Sequence, residues 1–403
     1  MAEPTPPPPK PRRGRRTVVS LALLAVVLGL TVVQVGPSTL GRAAWVTNVI
    51  PQQQQQQEGE PCRGAPQPPA PPRHTNTSAL PAAEAAKSLP QGVDDSYVAF
   101  CIIVKDEHCD IREWVLHHAS IGVGKFYLFD TQSDPPMHPV LDDLIESGLV
   151  RYQYLTNDTT EIELETPRPG RSFNWQRPVY KLCLERFGAR HTWMGFFDAD
   201  EFVVMQGATA AHPGSLPDLL QRFEEFAGLV LHWRVFGFGG HVLRPPGGVL
   251  ASYTACNPHV SALVKSLVQP QWVRTLQTVH TFAYLNKTYA VNTKGFRVWK
   301  PALPTGKESD DGAVLHHYVS RSLADFEVKT RRRGGAGSVK TLEHFIHYHR
   351  KAKGVCSAAV PLGQALAARY DLARHVPARC LDTERRRRRA LRKRRQRRRR
   401  RGK

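Results

Sequence analysis

Long apolar runs are nearly absent from this chain of 403 residues. Only residues 17–35 form an apolar run of 19 positions without a charge, so a protein with many membrane spans is excluded and one span is the most that can be drawn. A convincing small-residue cleavage site is also missing after that run, which favours an uncleaved signal-anchor over a removed leader. Acidic residues are missing from the last stretch, where residues 385–403 carry 15 Lys or Arg and no Asp or Glu. The net charge of +21 is therefore concentrated at the ends, and the body without residues 1–16 and 385–403 balances to +2. That balance excludes a body built as one broad polyanion-binding surface. The arginine run alone would suit RNA binding or nuclear targeting, and the apolar segment argues against both. In a lumenal setting the run would instead face acidic glycans or anionic headgroups.

What is present orders the chain. Lys10, Arg12, Arg13, Arg15 and Arg16 precede the apolar run, and basic flanks stay on the cytoplasmic side. This predicts a cytoplasmic tail over 1–16, one transmembrane signal-anchor over 17–35, and everything later in the lumen. Residues 36–95 are rich in Pro, Gln, Ala and Ser, with six glutamines at 52–57 and the cluster at 66–72, a composition that cannot bury a core and suits a disordered stem. A folded body follows over 96–350, then helices over 351–384 that read as peripheral, then the disordered tail over 385–403. Sequons at Asn76, Asn157 and Asn286 are compatible with lumenal glycosylation. Seven cysteines permit disulfides there, although spacing does not give their pairing. The odd count leaves one over, and Cys62 in the stem is the natural bridge to a second copy.

The body opens with alternating strand and helix signals, which predicts an α/β fold with a mostly parallel, Rossmann-like sheet. Expected elements are strand 97–104, helix 111–121 stopped by Gly122, strand 125–129 ending at Asp130, and helix 140–147 after Pro139 at N1. Strand 149–154, helix 173–187 capped by Ser172, and strand 193–197 follow. The last strand ends in Asp198, Asp200 and Glu201. Alternation along a strand would put Asp198 and Asp200 on one face, where two carboxylates close together call for a hard divalent cation. Lys105, Asp106, Glu107, Asp130 and Asp134 fall at the same carboxyl edge, the usual place for ligands in open α/β sheets.

These residues carry a resemblance. Cys101 to Glu107, Glu113-Trp114 with His117-His118, Ile121-Gly122-Val123, Phe126 to Asp130 and Ser133-Asp134 resemble glycosyltransferase family 92 and its family-2-like relatives. The series continues through Gln176, Tyr180 and Cys183, Phe197 to Phe202, Trp233 with Phe236-Gly237, Lys265, His280, His317-Tyr318 and Arg321-Ser322, spanning about 97 to 335. The resemblance implies a GT-A fold and an inverting transfer of a sugar, typically galactose from UDP-galactose, onto a glycan or glycoconjugate acceptor in the Golgi. It implies a divalent metal, with Mn²⁺ suited to carboxylate and imidazole ligands, held by Asp198, Asp200 and His317. Lys105, Glu107, Asp130, Asp134, Gln176 and Lys265 become the expected donor-binding residues, Asp130 toward uracil or ribose and Lys265 toward the diphosphate. The chain departs from the family pattern at Asp106, at Thr131 and at the unspaced Ser133-Asp134, which bears on the donor.

An inverting transfer needs a carboxylate base, for which Asp311 is the first candidate, ahead of Asp310 and Glu201. Trp233, Phe236 and Phe238 among glycines would stack on acceptor sugars or fill the core. His344, His347 and His349 lack the partners of a structural zinc site. Two other classes stay open, a sugar-binding relative without turnover and an arginine-tail nucleic-acid binder.

Overall fold

The computed structural model describes residues 88–156, 175–331 and 340–381. The expected cytoplasmic tail, anchor, stem and arginine tail lie outside the described residues, as do Cys62, Asn76, Asn157, Ser172 and Phe173. Among the described residues no helix is long and apolar enough to cross a membrane.

The fold is mixed α/β, built on a ten-stranded sheet. Its first half is β1 (Val98–Val104), β2 (Lys125–Thr131), β3 (Val150–Leu155) and β4 (Trp193–Phe196), in the spatial order β3-β2-β1-β4 with every pair parallel. β1 and β2 are buried along their whole length, as expected of strands covered on both faces. Gly195 in β4 is a packing requirement, because a Cβ there would stand 2.6 Å from the Phe100 ring. The second half is mixed. β8 (Val264–Val268) runs antiparallel to both β4 and β6 (Gly228–Val235), so the parallel order ends at β4. β13 (Ala313–His317) then joins β6 in parallel and β5 (Glu201–Met205) in antiparallel.

Two expected elements shift. The helix after Pro139 is a single 3-10 turn, His138–Val140, followed by the short helix Asp142–Glu146. The helix before β4 is Gln176–Phe187, with Trp175 at its N-cap position. Of the remaining helices, Ile111–Ser120 matters most for the site. It buries Trp114, Val115 and Leu116 under the sheet, and truncating a buried tryptophan of this kind costs about 3–5 kcal/mol. Its polar atoms also fix β5. Trp114 Nε1 donates to Glu201 O at 2.6 Å, His117 Nε2 bonds Val203 O at 2.7 Å, and Val203 N donates to His118 Nε2 at 3.0 Å. Burial holds His117 down at about 4 and His118 well below the usual histidine range, so both rings stay neutral as these bonds require.

The helices after residue 350 are not peripheral. Leu362, Leu366, Tyr370 and Leu372 share the main core with Val249 and Leu250, and Cys109–Cys380 ties this end to the start of the helix Ile111–Ser120. Cys101–Cys183 and Cys256–Cys356 complete the three disulfides among the described residues.

Candidate active site

Because β1, β2 and β4 are parallel, their carboxyl ends open on one edge. Lys105 follows β1, Asp130 lies near the end of β2 opposite Val104, and Asp198 follows β4 by two residues. The acidic residues do not extend the strand. β4 stops at Phe196, and residues 198–201 form a turn in which Glu201 N donates to Asp198 O at 3.0 Å and Asp198 N to Glu201 Oε2 at 2.8 Å. The two acids therefore do not alternate along a strand, and each carboxylate meets its own set of partners.

Asp198 lies on one side. Gln176 Nε2 donates to its Oδ1 at 2.7 Å and Lys265 Nζ to its Oδ2 at 3.0 Å, while 38% of the side chain remains exposed. Lys265 itself is fully enclosed, with Glu201 Oε2 at 3.6 Å. Burial would lower this lysine's pKa, but Asp198 and Glu201 raise it above the ordinary value, so it stays charged. Burial pushes Glu201 the other way, well above the carboxylate range and against the pull of Lys265. With none of its side chain exposed, Glu201 is not placed to take a proton from an acceptor hydroxyl.

Asp200 lies on the other side. The β13 ladder pairs His317 with Glu201, and Tyr318 N donates to Asp200 O at 2.8 Å, which fixes His317 beside the turn. His317 Nε2 stands 3.6 Å from Asp200 Oδ1, and Lys329 Nζ stands 2.5 Å from Asp200 Oδ2. Burial would raise the Asp200 pKa, yet Lys329, His317 and Arg321 together hold it well below the carboxylate range. The anion is thus permanent at this position. Trp233 closes the site, its ring 4.4 Å from that of His317 and 5.4 Å from that of His280.

An Asp200–His317 gap of 3.6 Å is too long for a hydrogen bond, and it approaches the spacing of about 3 Å between neighbouring ligands of an octahedral cation. Carboxylate and imidazole suit Mn²⁺, and the Lys329 ammonium already stands as a cation on the other Asp200 oxygen. The donors present therefore fit a divalent ion that completes its shell from a ligand. Among the described residues no group of three or more His, Cys, Asp or Glu is arranged to hold a metal, and this includes the histidines of the helix Leu342–Lys351.

The remaining expected residues divide. Asp130 is fully buried and accepts from Ser133 N, Met137 N and Tyr152 Oη at 3.0, 3.0 and 2.6 Å, so it shapes the loop after β2 from within. Glu107 is buried and paired with Arg321 at 2.7 Å. Lys105 is half-buried, and Asp134 is exposed with its N–H on Asp106 Oδ1 at 3.3 Å. Asp311 is not brought to the site. It precedes β13 and pairs with Lys294 at 3.8 Å, whereas His317 ends the strand, and Ala313 to His317 alone spans about 13 Å. Asp310 is engaged elsewhere, by Arg234 of β6, the residue opposite His316. Phe236 and Phe238 are core residues, against Tyr318 and Phe345, which leaves Trp233 alone facing the acids.

Sequence reasoning missed a second charged cluster behind the turn. Arg321 donates to Glu107 and, through Nη2, to Ala199 O at 3.2 Å between the two aspartates, and it also pairs with the fully buried Asp110. Arg244 pairs with Asp110 and, at 3.1 Å, with Asp325. Lys329 was missed as well. It ends the helix Leu323–Lys329, and nothing in its neighbourhood in sequence distinguishes it from a solvated lysine.

The family model described as Glycosyltransferase family 92 matches residues 96–299 of the chain. A glycosyltransferase family 92 protein of Ricinus communis is 27% identical over 216 residues, covering 49% of this chain and 35% of the relative. One from Oryza sativa subsp. japonica is 25% identical over 190 residues, covering 45% and 29%. The chain thus spans about a third of the length of the curated relatives it matches. Among solved structures, S. aureus TarS 1-349 aligns at a TM-score of 0.31 with 13% identity, covering 64% of this chain and 72% of that one, too loose a superposition to bear on the site.

Proposed function

The chain belongs to glycosyltransferase family 92, and from that premise we propose that it moves galactose from UDP-galactose to a glycan or glycoconjugate acceptor on a GT-A scaffold, with inversion and with a divalent cation, Mn²⁺ by its ligand chemistry. The single observation that carries this reading is the Asp200–His317 pair, an anionic carboxylate and an imidazole held together at the carboxyl edge of the parallel strands. Asp200 and His317 would hold the ion, with Asp198 on the donor side of the turn. When bound, the ion neutralises charge that develops on the departing diphosphate.

The chain's own residues do the rest. Lys265 and Gln176 fix the Asp198 carboxylate so that its exposed part faces the opening. Trp233 offers an aromatic face beside His317 that excludes water from the cation side. Arg321 holds Ala199 O, and with it the turn. Inversion calls for a carboxylate to take the acceptor proton, and with Asp310 paired to Arg234, Asp311 to Lys294 and Glu201 fully enclosed, none of the three is assigned that role. The setting that goes with this reading is the Golgi lumen, the chain anchored once through residues 17–35.

The test is turnover of a panel of nucleotide sugars by the full chain, with Mn²⁺ or with EDTA. We expect metal-dependent consumption of UDP-galactose that falls at least about a hundredfold in Asp200→Ala. Turnover unaffected by EDTA and by Asp200→Ala would reject the reading. Binding of sugar without turnover of any donor would favour a non-catalytic relative.

A further inference from the structure

With Asp310, Asp311 and Glu201 engaged or enclosed, an inverting transfer needs another proton acceptor, and the loop of one hairpin brings an imidazole to the site. β9 (Val273–Leu276) and β10 (Phe282–Tyr284) pair antiparallel, with residues 277–281 between them. Local contacts hold that loop in place. Thr278 Oγ1 accepts from the N–H groups of His280 and Thr281, each at 3.1 Å, which closes the turn. Phe282 packs on Phe196, the last residue of β4, with ring centroids 4.9 Å apart. Ser266 Oγ donates to His280 O at 2.6 Å, which seats the loop on β8. Because β8 runs antiparallel to β4, its first residues lie where β4 ends, at the edge that carries Asp198. Val264 begins β8 and pairs with His232, next to Trp233, so a residue held on Val264 stands between Trp233 and Lys265.

His280 is that residue. Its Nδ1 lies 2.8 Å from Val264 O, and a carbonyl only accepts, so Nδ1 carries the proton and Nε2 the lone pair of the neutral ring. Nε2 has no partner among the described residues, and unlike Trp233 Nε1 beside it, it is not enclosed. Burial and the charge of Lys265 hold the ring below the ordinary histidine pKa, with Asp198 pulling the other way, so it rests uncharged at neutral pH. The same interactions, with that of His317, put the ring within electrostatic reach of both sides of the acidic turn. Trp233 touches both histidines, its ring centroid 5.4 Å from that of His280 and 4.4 Å from that of His317.

We propose that His280 is the general base of the transfer, its Nε2 taking the proton of the acceptor hydroxyl. The inference rests on the reading of the chain as an inverting glycosyltransferase. In the step, the hydroxyl oxygen bonds to the anomeric carbon and its proton passes to Nε2. The bond from that carbon to the diphosphate oxygen breaks, and its electron pair leaves with UDP. An imidazole serves where the neighbouring carboxylates do not, because Asp198 and Glu201 are both committed to Lys265. The imidazolium that forms keeps its Nδ1–H on Val264 O, and the Asp198 carboxylate offsets its charge.

The experiment follows release of UDP from UDP-galactose by the full chain, with and without a pool of fluorescently labelled N-glycans. Without glycan the attacking hydroxyl is that of water, and the same base is required. His280→Asn keeps an amide N–H within reach of Val264 O and removes Nε2. We expect its kcat to fall about a hundredfold while KM for UDP-galactose stays at the wild-type value. In His280→Gly, free imidazole should restore part of the lost rate, which it would not do for a ring that only braces the loop. A kcat in His280→Asn equal to wild type overturns the proposal, and so does a loss in His280→Gly that imidazole leaves untouched. Should His280→Gly not fold, His280→Asn decides alone. If wild type releases no UDP, or NMR of the product shows retention at the anomeric carbon, the inverting reading fails and the proposal falls with it. That result is distinct from equal turnover by wild type and variant, which removes His280 alone.

Discussion

Two clusters of buried charge flank the same four-residue turn, and they are built differently. On the inner side Glu107, Asp110 and Asp325 are held by Arg244 and Arg321, forked cations that never lose their charge. On the outer side Asp198, Asp200 and Glu201 are held by Lys265 and Lys329, single-point cations on flexible stems. The arginine cluster ties residues from three separate parts of the chain into one closed set. The lysine cluster leaves one carboxylate more than a third exposed and another on a single ammonium at the end of a helix. The difference separates a frame from a working surface. A frame benefits from several fixed hydrogen bonds per cation, and a site that must take in and release a charged ligand benefits from partners that can let go.

The comparison breaks first at Arg321. Arg321→Ala takes from Glu107 and Asp110 the cation they share, leaving Asp110 to Arg244, and removing one member of a buried ion set costs about 3–5 kcal/mol. Denaturant titration is expected to show this loss in full, and Arg321→Lys should recover little of it, because one ammonium cannot span both acids and Ala199 O. Full recovery by lysine would erase the distinction drawn between the clusters.

Lys265→Met is the matched change on the outer side, and a smaller effect is expected from it, about 1–2 kcal/mol. Asp198 can turn to water through its exposed portion, and burial already pushes the Glu201 pKa upward. A loss as large as that of Arg321→Ala, in the same titration, would mean that the outer cluster is as rigid as the inner one.

Glu113 supplies the smallest and sharpest contrast, a buried carboxylate that relies on backbone donors. Val249 N and Leu250 N donate to it at 2.6 and 3.0 Å, and burial still pushes it up to about 7 against those bonds and the pull of Arg321. A carboxyl raised in the folded state binds its proton more tightly there than in the unfolded chain. Its contribution to stability is therefore complete below the unfolded value of 4.5 and is lost as the pH rises through about 7. Glu113→Gln removes that dependence. The difference in Tm between wild type and variant should change between pH 4.5 and 7 and level off outside that window, and a constant difference would mean that Glu113 is ionised throughout.

How much of this was legible in the sequence follows the same division. The half-sheet β3-β2-β1-β4 was readable because each strand is an apolar run of strand length and each helix between them ends at a glycine such as Gly122 or Gly148. The reversal at β8 was not, since Val264 to Val268 carries no mark of direction and antiparallel pairing is settled by where the chain returns. Asp198 and Asp200 stood out as acids after an apolar strand, but they lie in a turn closed by Glu201, which alternation along a strand does not foresee. Lys265 read as equally suited to the surface because its two acids are 67 and 64 residues away. The Arg244 and Arg321 cluster was invisible for the same reason, and Asp311 looked close to His317 only because sequence distance ignores the length of an extended strand.

Cys109 and Cys380 are joined across 271 residues, and this sets a timetable for the newborn chain. Synthesis at about 5–20 residues per second leaves the Cys109 thiol waiting roughly 15 to 55 seconds for its partner. Cys101, eight residues before it, can be matched with Cys183 after only 82. Asp110, the innermost acid of the arginine cluster, directly follows the waiting cysteine. The frame behind the acidic turn is thus the last part of the domain to be locked, and it is closed by the final stretch of the described chain to emerge.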